Sequence, residues 1–198
     1  MTTDFLFNIN LPSSAPRPGS LLVSEPFLKE EYFRHAVILM IDCPKDADAL
    51  GVVINRLTNY TVDDLVEGID RPVPVFCGGP LAMDRLYFLH TLGDIIPGGR
   101  PVNDGLWLSG DFDAMVAYVR AGYPIEGHLR FFLGYSGWAP GQLAEELQAH
   151  TWAVARPGSI KPGQLLSTDN DSAWHQAVRT LGAKYRGWLY HPQAPSIN

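Results

Sequence analysis

The chain never sustains an apolar run longer than Ala36-Val-Ile-Leu-Met-Ile41. A membrane helix needs about 20 such residues, so no span is expected. The runs are short because 19 glycines and 16 prolines punctuate the sequence throughout. Such a chain folds into many short elements with tight turns, not into a long helical bundle. Its 198 residues match a single domain at about 150 residues per domain. A hydrophobic fraction of 46% against 18% charged residues excludes intrinsic disorder.

Charge narrows the partners. Fifteen basic and 21 acidic side chains give a net charge of −6, and the excess of acid falls within residues 1–99. That field opposes phosphate backbones and anionic lipid surfaces. Direct DNA binding and membrane association are therefore not expected. The C-terminal Arg179, Lys184 and Arg186 interleave with Trp174, Tyr185 and Trp188. Trp174, Val178, Leu181 and Tyr185 recur at helical spacing, so this face reads as core, and three cations add little phosphate affinity. Cys43 and Cys77 cannot form a disulfide scaffold, and the N-terminus shows no signal-peptide pattern. A reducing, cytoplasmic setting is expected.

Residues 1–18 read as an extended, proline-rich lead-in, and 19–198 as the domain. Strands are predicted at 21–23, 36–41, 50–54, 86–89, 106–108, 128–133 and 151–155, with an extended stretch over 72–77. Helices are predicted from Thr61 to about Gly68, from Asp111 to Arg120, from about Pro140, and from about Ser172. Hairpins and crossovers are mixed irregularly, which indicates α+β.

Catalytic motifs are sparse. There is no G-x-G-x-x-G and no P-loop. No two of the six histidines lie three or four positions apart, so no helix offers a metal pair. Asp46-x-Asp48 begins like a calcium loop, but Leu50 and Leu57 occupy ligand positions. No cofactor and no metal are expected. Gly134-Tyr135-Ser136-Gly137-Trp138 resembles a nucleophile elbow, yet Trp138 stands where a small residue is required. Its triad partners would be Asp169 or Asp171 with His175 or His191. A tight turn permitted by Gly134 and Gly137 is the simpler reading. Cys77, beside Gly78-Gly79, is a candidate redox-sensitive thiol.

Several motifs then occur in a fixed order. They are Gly19-Ser-Leu-Leu-Val23 with Pro26, Gly51-Val-Val-Ile-Asn-Arg56, Gly78-Gly-Pro80, Leu89-His90 and Gly134 through Leu143. An acid follows at Glu145 or Glu146, then Trp174, Leu181-Gly182 and the ending Pro195-Ser-Ile-Asn198. In this the chain resembles the AlgH/YqgE family of bacterial proteins from Gly19 to Asn198. The resemblance implies one α+β domain with a bent mixed sheet, a pseudo-barrel, flanked by helices. It implies no defined biochemical activity. The family name suggests transcriptional control. The family usually has alanine at the position of Ser136, which argues against a serine nucleophile.

The combined reading is a non-enzymatic binding or regulatory protein whose protein or small-molecule partner is undetermined. The alternative is a small-molecule enzyme such as a hydrolase with a polar cleft, and a direct nucleic-acid binder ranks third. The candidate binding residues are Asn55, Arg56, Gly78, Gly79, Pro80, His90, Tyr135, Gly137, Trp138 and Gln142. They sit in turns beside predicted strands, where glycines expose backbone and Trp138 would offer an apolar face. A shared groove formed by these turns is the expectation to be tested.

Overall fold

The computed structural model describes residues 15–103, 105–167 and 170–190; the side chains of 170 and 171 are not described. Most of the expected lead-in, the ending Pro195–Asn198, and Asp169 and His191 of the triad reading lie outside the described residues, as does the Asp171 side chain.

Among the described residues, ten strands form one sheet. They are β1 Leu21–Ser24, β2 Val37–Asp42, β3 Ala49–Val53, β4 Leu57–Thr61, β5 Pro74–Cys77, β6 Leu81–His90, β7 Arg100–Asn103, β8 Leu106–Leu108, β9 Leu129–Trp138 and β10 Trp152–Ala155. Five helices accompany them: α1 Val62–Leu65, α2 Phe112–Arg120, α3 Gln142–Gln148, α4 Pro162–Ser167 and α5 Asn170–Thr180. Short 3-10 turns occupy Glu31–Phe33 and Ala183–Tyr190. The main path runs β10-β1-β2-β3-β9-β6-β8-β7, with β4 and β5 attached beside it. The result is a single α+β domain with a curled, half-barrel sheet.

β9 organises the molecule. Along one edge it pairs antiparallel with β6. Its other partners divide its length: β5 runs parallel beside Phe131–Leu133, and β3 runs antiparallel beside Ser136–Trp138. The change of partner falls at Gly134, which has φ +68°. A Cβ there would strike the carbonyls of Gly79 and Leu81, so only glycine fits this bend. The turn expected over Gly134–Trp138 is therefore a kinked continuation of the strand. Glycines read as a turn are here what lets three neighbouring strands approach one another.

Alternation along the strands sorts the core onto two faces. Leu21, Val23, Leu39, Val52, Ile54 and Phe132 pack with Leu165, Leu166, Trp174 and Val178 of α4 and α5. On β5, β6 and β9, Val75, Phe88 and Phe131 pack instead beneath Val62, Met115 and Val119. Leu22, Ile38, Met40 and Val53 join Trp138, Leu143 and Trp152 in a third cluster. Trp174 is fully buried and its indole N–H donates to the Ser24 carbonyl at 3.0 Å, so the aromatic C-terminal face is core.

Local capping follows the sequence. Asp111 Oδ1 accepts the Ala114 amide at 2.8 Å, and the Asp64 carboxylate accepts the Thr61 amide at 2.8 Å. That bond and the Thr61 hydroxyl hold the Asp64 carboxyl below its usual range. α4, between the strand predicted at 151–155 and the helix predicted from about Ser172, is a six-residue helix, too short for its periodicity to register. Leu181 and Tyr185 lie past the end of α5 but still pack on the first cluster.

Candidate functional site

The predicted binding residues fall into separate places. At the far end of β9, Trp138 is 4% exposed. Its indole N–H donates to the Glu146 carboxylate at 2.8 Å, and Trp152 donates to the same oxygen at 2.7 Å. Gln142 donates to the other carboxylate oxygen at 2.9 Å, while its carbonyl accepts the Ala139 amide at 3.1 Å. Gln142 thus ties the chain entering α3 to Glu146, and Trp138 is a core residue. The expectation that Trp138 presents an apolar face to a partner is corrected by its burial. Glu146 is the hub of this corner, and no spacing rule in the sequence pairs it with tryptophans at positions 138 and 152.

His90 lies at the opposite end. It pairs with Leu129 in the sheet, whereas Trp138 closes β9. At about 3.3 Å per residue the length of β9 separates them. His90 is completely buried. Its Nε2 contacts the Ser109 carbonyl at 2.8 Å, and its Nδ1 accepts the Leu92 amide at 3.2 Å. This fixes the neutral Nε2–H tautomer. Burial lowers its pKa, partly opposed by the bond to Ser109. His90 is a pin between β6 and the segment after β8.

Asn55 is also a pin. Its Oδ1 accepts the Val37 amide at 2.9 Å and its amide nitrogen donates to the His35 carbonyl at 2.9 Å. His35 has φ +52°, so Asn55 stabilises a left-handed residue at the entry to β2. Next to it, Arg56 Nε donates to the Tyr32 carbonyl at 3.0 Å, and its Nη2 donates to the Arg34 carbonyl. Burial lowers the pKa of Arg56.

The remaining candidates do assemble. The Cys77 amide donates to the Arg56 carbonyl at 2.6 Å, which joins Arg56 to Gly78, Gly79 and Pro80. A Cβ on Gly79 would overlap the backbone of Tyr135 and Ser136, and one on Gly78 would overlap the Gly134 carbonyl. Leu81 pairs with Tyr135. The Leu81 side chain lies over Gly137 and the Met83 sulfur over Gly134. Leu81 and Met83 are each 44% exposed. The Cys77 sulfur lies 3.6 Å from the Met83 sulfur and 3.1 Å from the Tyr32 hydroxyl. Burial and the contact with Cys77 raise the Tyr32 pKa. The outcome is a small apolar face floored by glycine backbone and edged by Tyr32, Cys77 and Tyr135. Leu81 and Met83 are absent from the sequence-based set because exposure of an apolar residue within a strand leaves no periodic signal, and Tyr32 because it sits in a short 3-10 turn.

A common groove through all ten residues does not form. Ser136 has no place in an elbow either: it is 2% exposed and its hydroxyl donates to the Gly78 carbonyl at 3.3 Å. Cys43 and Cys77 are both free thiols, and burial together with Asp42 pushes Cys43 up to about 11. Among the described residues no group of three metal-ligating side chains converges, and no helix is long and apolar enough to cross a membrane.

Comparison with known proteins agrees with this architecture. A UPF0301 protein of Parabacteroides distasonis is 39% identical over 196 residues, covering 98% of this chain and 97% of its own. One from Bacteroides thetaiotaomicron is 38% identical over 195 residues, with coverage of 98% and 97%. The crystal structure of a Corynebacterium diphtheriae protein superposes with a TM-score of 0.69 at 22% identity, covering 96% of this chain and 99% of that one. The solution structure of the AlgH protein from Pseudomonas aeruginosa gives a TM-score of 0.67 at 22% identity, with coverage of 93% and 100%. The family description AlgH-like matches residues 21–186, and the chain belongs to the AlgH-like family.

Proposed function

We propose that this chain is a non-enzymatic binding protein that docks a protein partner on the face formed by Leu81, Met83, Tyr135 and the Cys77–Pro80 turn. The observation that carries this reading is the exposure of Leu81 and Met83, 44% each, above glycine backbone. Methionine, tyrosine and arginine are enriched at the centres of protein interfaces. The polar residues that an enzyme would need to bring together are instead held as pins and caps in separate parts of the fold. In particular, the Ser136 hydroxyl bonds a carbonyl rather than a base, which argues against Ser136 as a nucleophile. A regulatory role in the cytoplasm is the setting we infer, supported by two unpaired thiols. Any influence on transcription would pass through the docked protein, since a net charge of −6 disfavours direct contact with DNA.

The test is affinity capture with the wild-type chain and with a Leu81→Asp/Met83→Asp double variant. A protein retained by the wild type and lost from the double variant, with the thermal midpoint unchanged, is the expected result. Equal retention by both, or no protein retained by the wild type, overturns the reading.

A further inference from the structure

On the docking face described above, and resting on that reading, we propose that the partner is a separate protein presenting a carboxylate beside an apolar side chain. The carboxylate meets the Arg56 guanidinium next to Arg34, and the apolar group covers Leu81 and Met83. Arg56 is half-buried, and its guanidinium is held by backbone. Nε donates to the Tyr32 carbonyl at 3.0 Å, and Nη2 donates to the Arg34 carbonyl. Those bonds use two of its five N–H groups, both on one edge. Nη1 makes no hydrogen bond and no ion pair among the described residues. The outer edge of the fork, Nη1 with the second hydrogen of Nη2, is thus unfilled. A planar guanidinium fixed in this way matches a carboxylate in a two-point contact.

Arg34 adds a second positive charge. It is exposed, and its side chain makes no hydrogen bond or ion pair among the described residues. Burial lowers the Arg56 pKa and the charge of Arg34 adds to this, while Tyr32 and Cys77 act the other way. Glu30 and Glu31 on the neighbouring turn, and Asp84 beside Met83, form no ion pair with either guanidinium. The one ion pair among the described residues joins Arg100 to Asp42. On a chain with 21 acidic side chains, this pair of like charges is left without a carboxylate of its own. It also borders the apolar face. The Cys77 amide donates to the Arg56 carbonyl at 2.6 Å. The Tyr32 hydroxyl stands 3.1 Å from the Cys77 sulfur, which lies 3.6 Å from the Met83 sulfur. One tyrosine side chain and those two contacts therefore join the carbonyl that Arg56 holds to Met83. A few residues of extended chain, at about 3.3 Å each, cover that span. A purely apolar partner would desolvate the outer edge of Arg56 without giving it an acceptor. A purely acidic one would leave Leu81 and Met83 in water. An acid next to an apolar group uses both, and a fixed arginine beside water-excluding apolar contacts is where binding energy concentrates.

The probe comes from a random peptide library displayed on phage and panned on the full chain. The leading peptide is synthesised together with a neutral counterpart in which every Asp and Glu is replaced by Asn and Gln. The leading peptide is expected to carry Asp or Glu beside apolar residues, and to bind at least about tenfold more tightly than its counterpart. Arg34→Glu alters a side chain without contacts, so the fold is kept. It should weaken the acidic peptide by about tenfold and leave the neutral one unchanged. Leu81→Asp/Met83→Asp should abolish binding of both. A leading peptide without acids, equal affinities for the two peptides, or an acidic peptide indifferent to Arg34→Glu overturns the acidic partner. The docking face itself still stands in those cases if the double variant loses the peptide. Peptides that bind the double variant undiminished, or no peptide selected at all, overturn the docking face and the acidic partner with it. A wild-type chain that sediments as a dimer, and as a monomer in the double variant, assigns the face to a second copy and overturns the separate partner.

Discussion

At the Trp138 end of β9, two indole N–H groups and an amide converge on a single carboxylate, that of Glu146. Some residues earlier along the same strand, the face of Gly78, Gly79, Leu81, Met83 and Gly134 has almost no side-chain polarity, and two of its apolar side chains face solvent. Both regions look equally distinctive in the sequence. They differ in where their chemistry is directed. A corner rich in donors and acceptors satisfies them internally and is closed to partners. A face made of glycine backbone and apolar side chains has no internal use for its outer surface. Abundance of polar, hydrogen-bonding residues in a motif is thus a sign of internal structure here, and the accessible side chains are the apolar Leu81 and Met83 beside the buried glycines.

The sharpest way to break this contrast is Trp138→Ala. If the corner is structural, the substitution costs about 3–5 kcal/mol, as for other buried tryptophans, read as a shift of the urea midpoint. A variant that melts like the wild type while losing a partner would return Trp138 to the binding surface.

Glu146 comes next in size. Glu146→Leu strands the N–H groups of Trp138 and Trp152, both nearly buried. Each orphaned donor costs roughly 1–3 kcal/mol, so a total of about 3 kcal/mol is expected. Glu146→Gln keeps an acceptor oxygen and should cost less, about 1–2 kcal/mol. Equal losses for the two variants would mean that packing of the side chain, not acceptance of the indoles, holds the corner.

How much of this was legible beforehand follows from range. Strands β1, β2, β3, β8 and β10 and helix α2 stand where apolar runs and caps place them, since those signals are local. β4 and β7 carry no apolar alternation: Leu57–Thr61 is largely exposed and Arg100–Asn103 mostly so. They exist because neighbours offer edges to pair with, which is a long-range cause. The same holds for the candidate residues. Asn55 and His90 are recognisable as polar residues in special positions, but the carbonyls of His35 and Ser109 that they meet lie 20 and 19 residues away and cannot be read from spacing. Gln142 differs, since its partners Ala139 and Glu146 are three and four residues from it.

His90 extends the contrast through pH. Its folded pKa is lowered, chiefly by burial. The unfolded chain therefore takes up its proton first, at about pH 6.5. The stability contributed by neutral His90 is complete above that pH and is lost as the pH falls from it toward the folded value. Unfolding free energy measured from pH 8 to 5 should decline below about 6.5, and His90→Gln should flatten that segment. A wild-type curve with no decline there would show that the imidazole can be protonated in place, and the pin would be a titratable group open to function.

The smallest expected effect is that of Ser136→Ala, and it separates burial from dependence. Ser136 is as deeply buried as the corner tryptophans. Yet its hydroxyl is one of two donors to the Gly78 carbonyl; the Val53 amide already supplies a bond of 2.8 Å. Removing the hydroxyl orphans no group, since its acceptor keeps a partner and the lost donor leaves with it. The cost should stay below about 1 kcal/mol, against the larger loss for Glu146→Leu, where two donors share one acceptor and have no substitute. A serine-directed phosphonate should likewise leave Ser136 unlabelled, because no base withdraws its proton and its oxygen is out of reach of solvent. Labelling, or a destabilisation matching that of Glu146→Leu, would place Ser136 in a role that its single long hydrogen bond of 3.3 Å does not support.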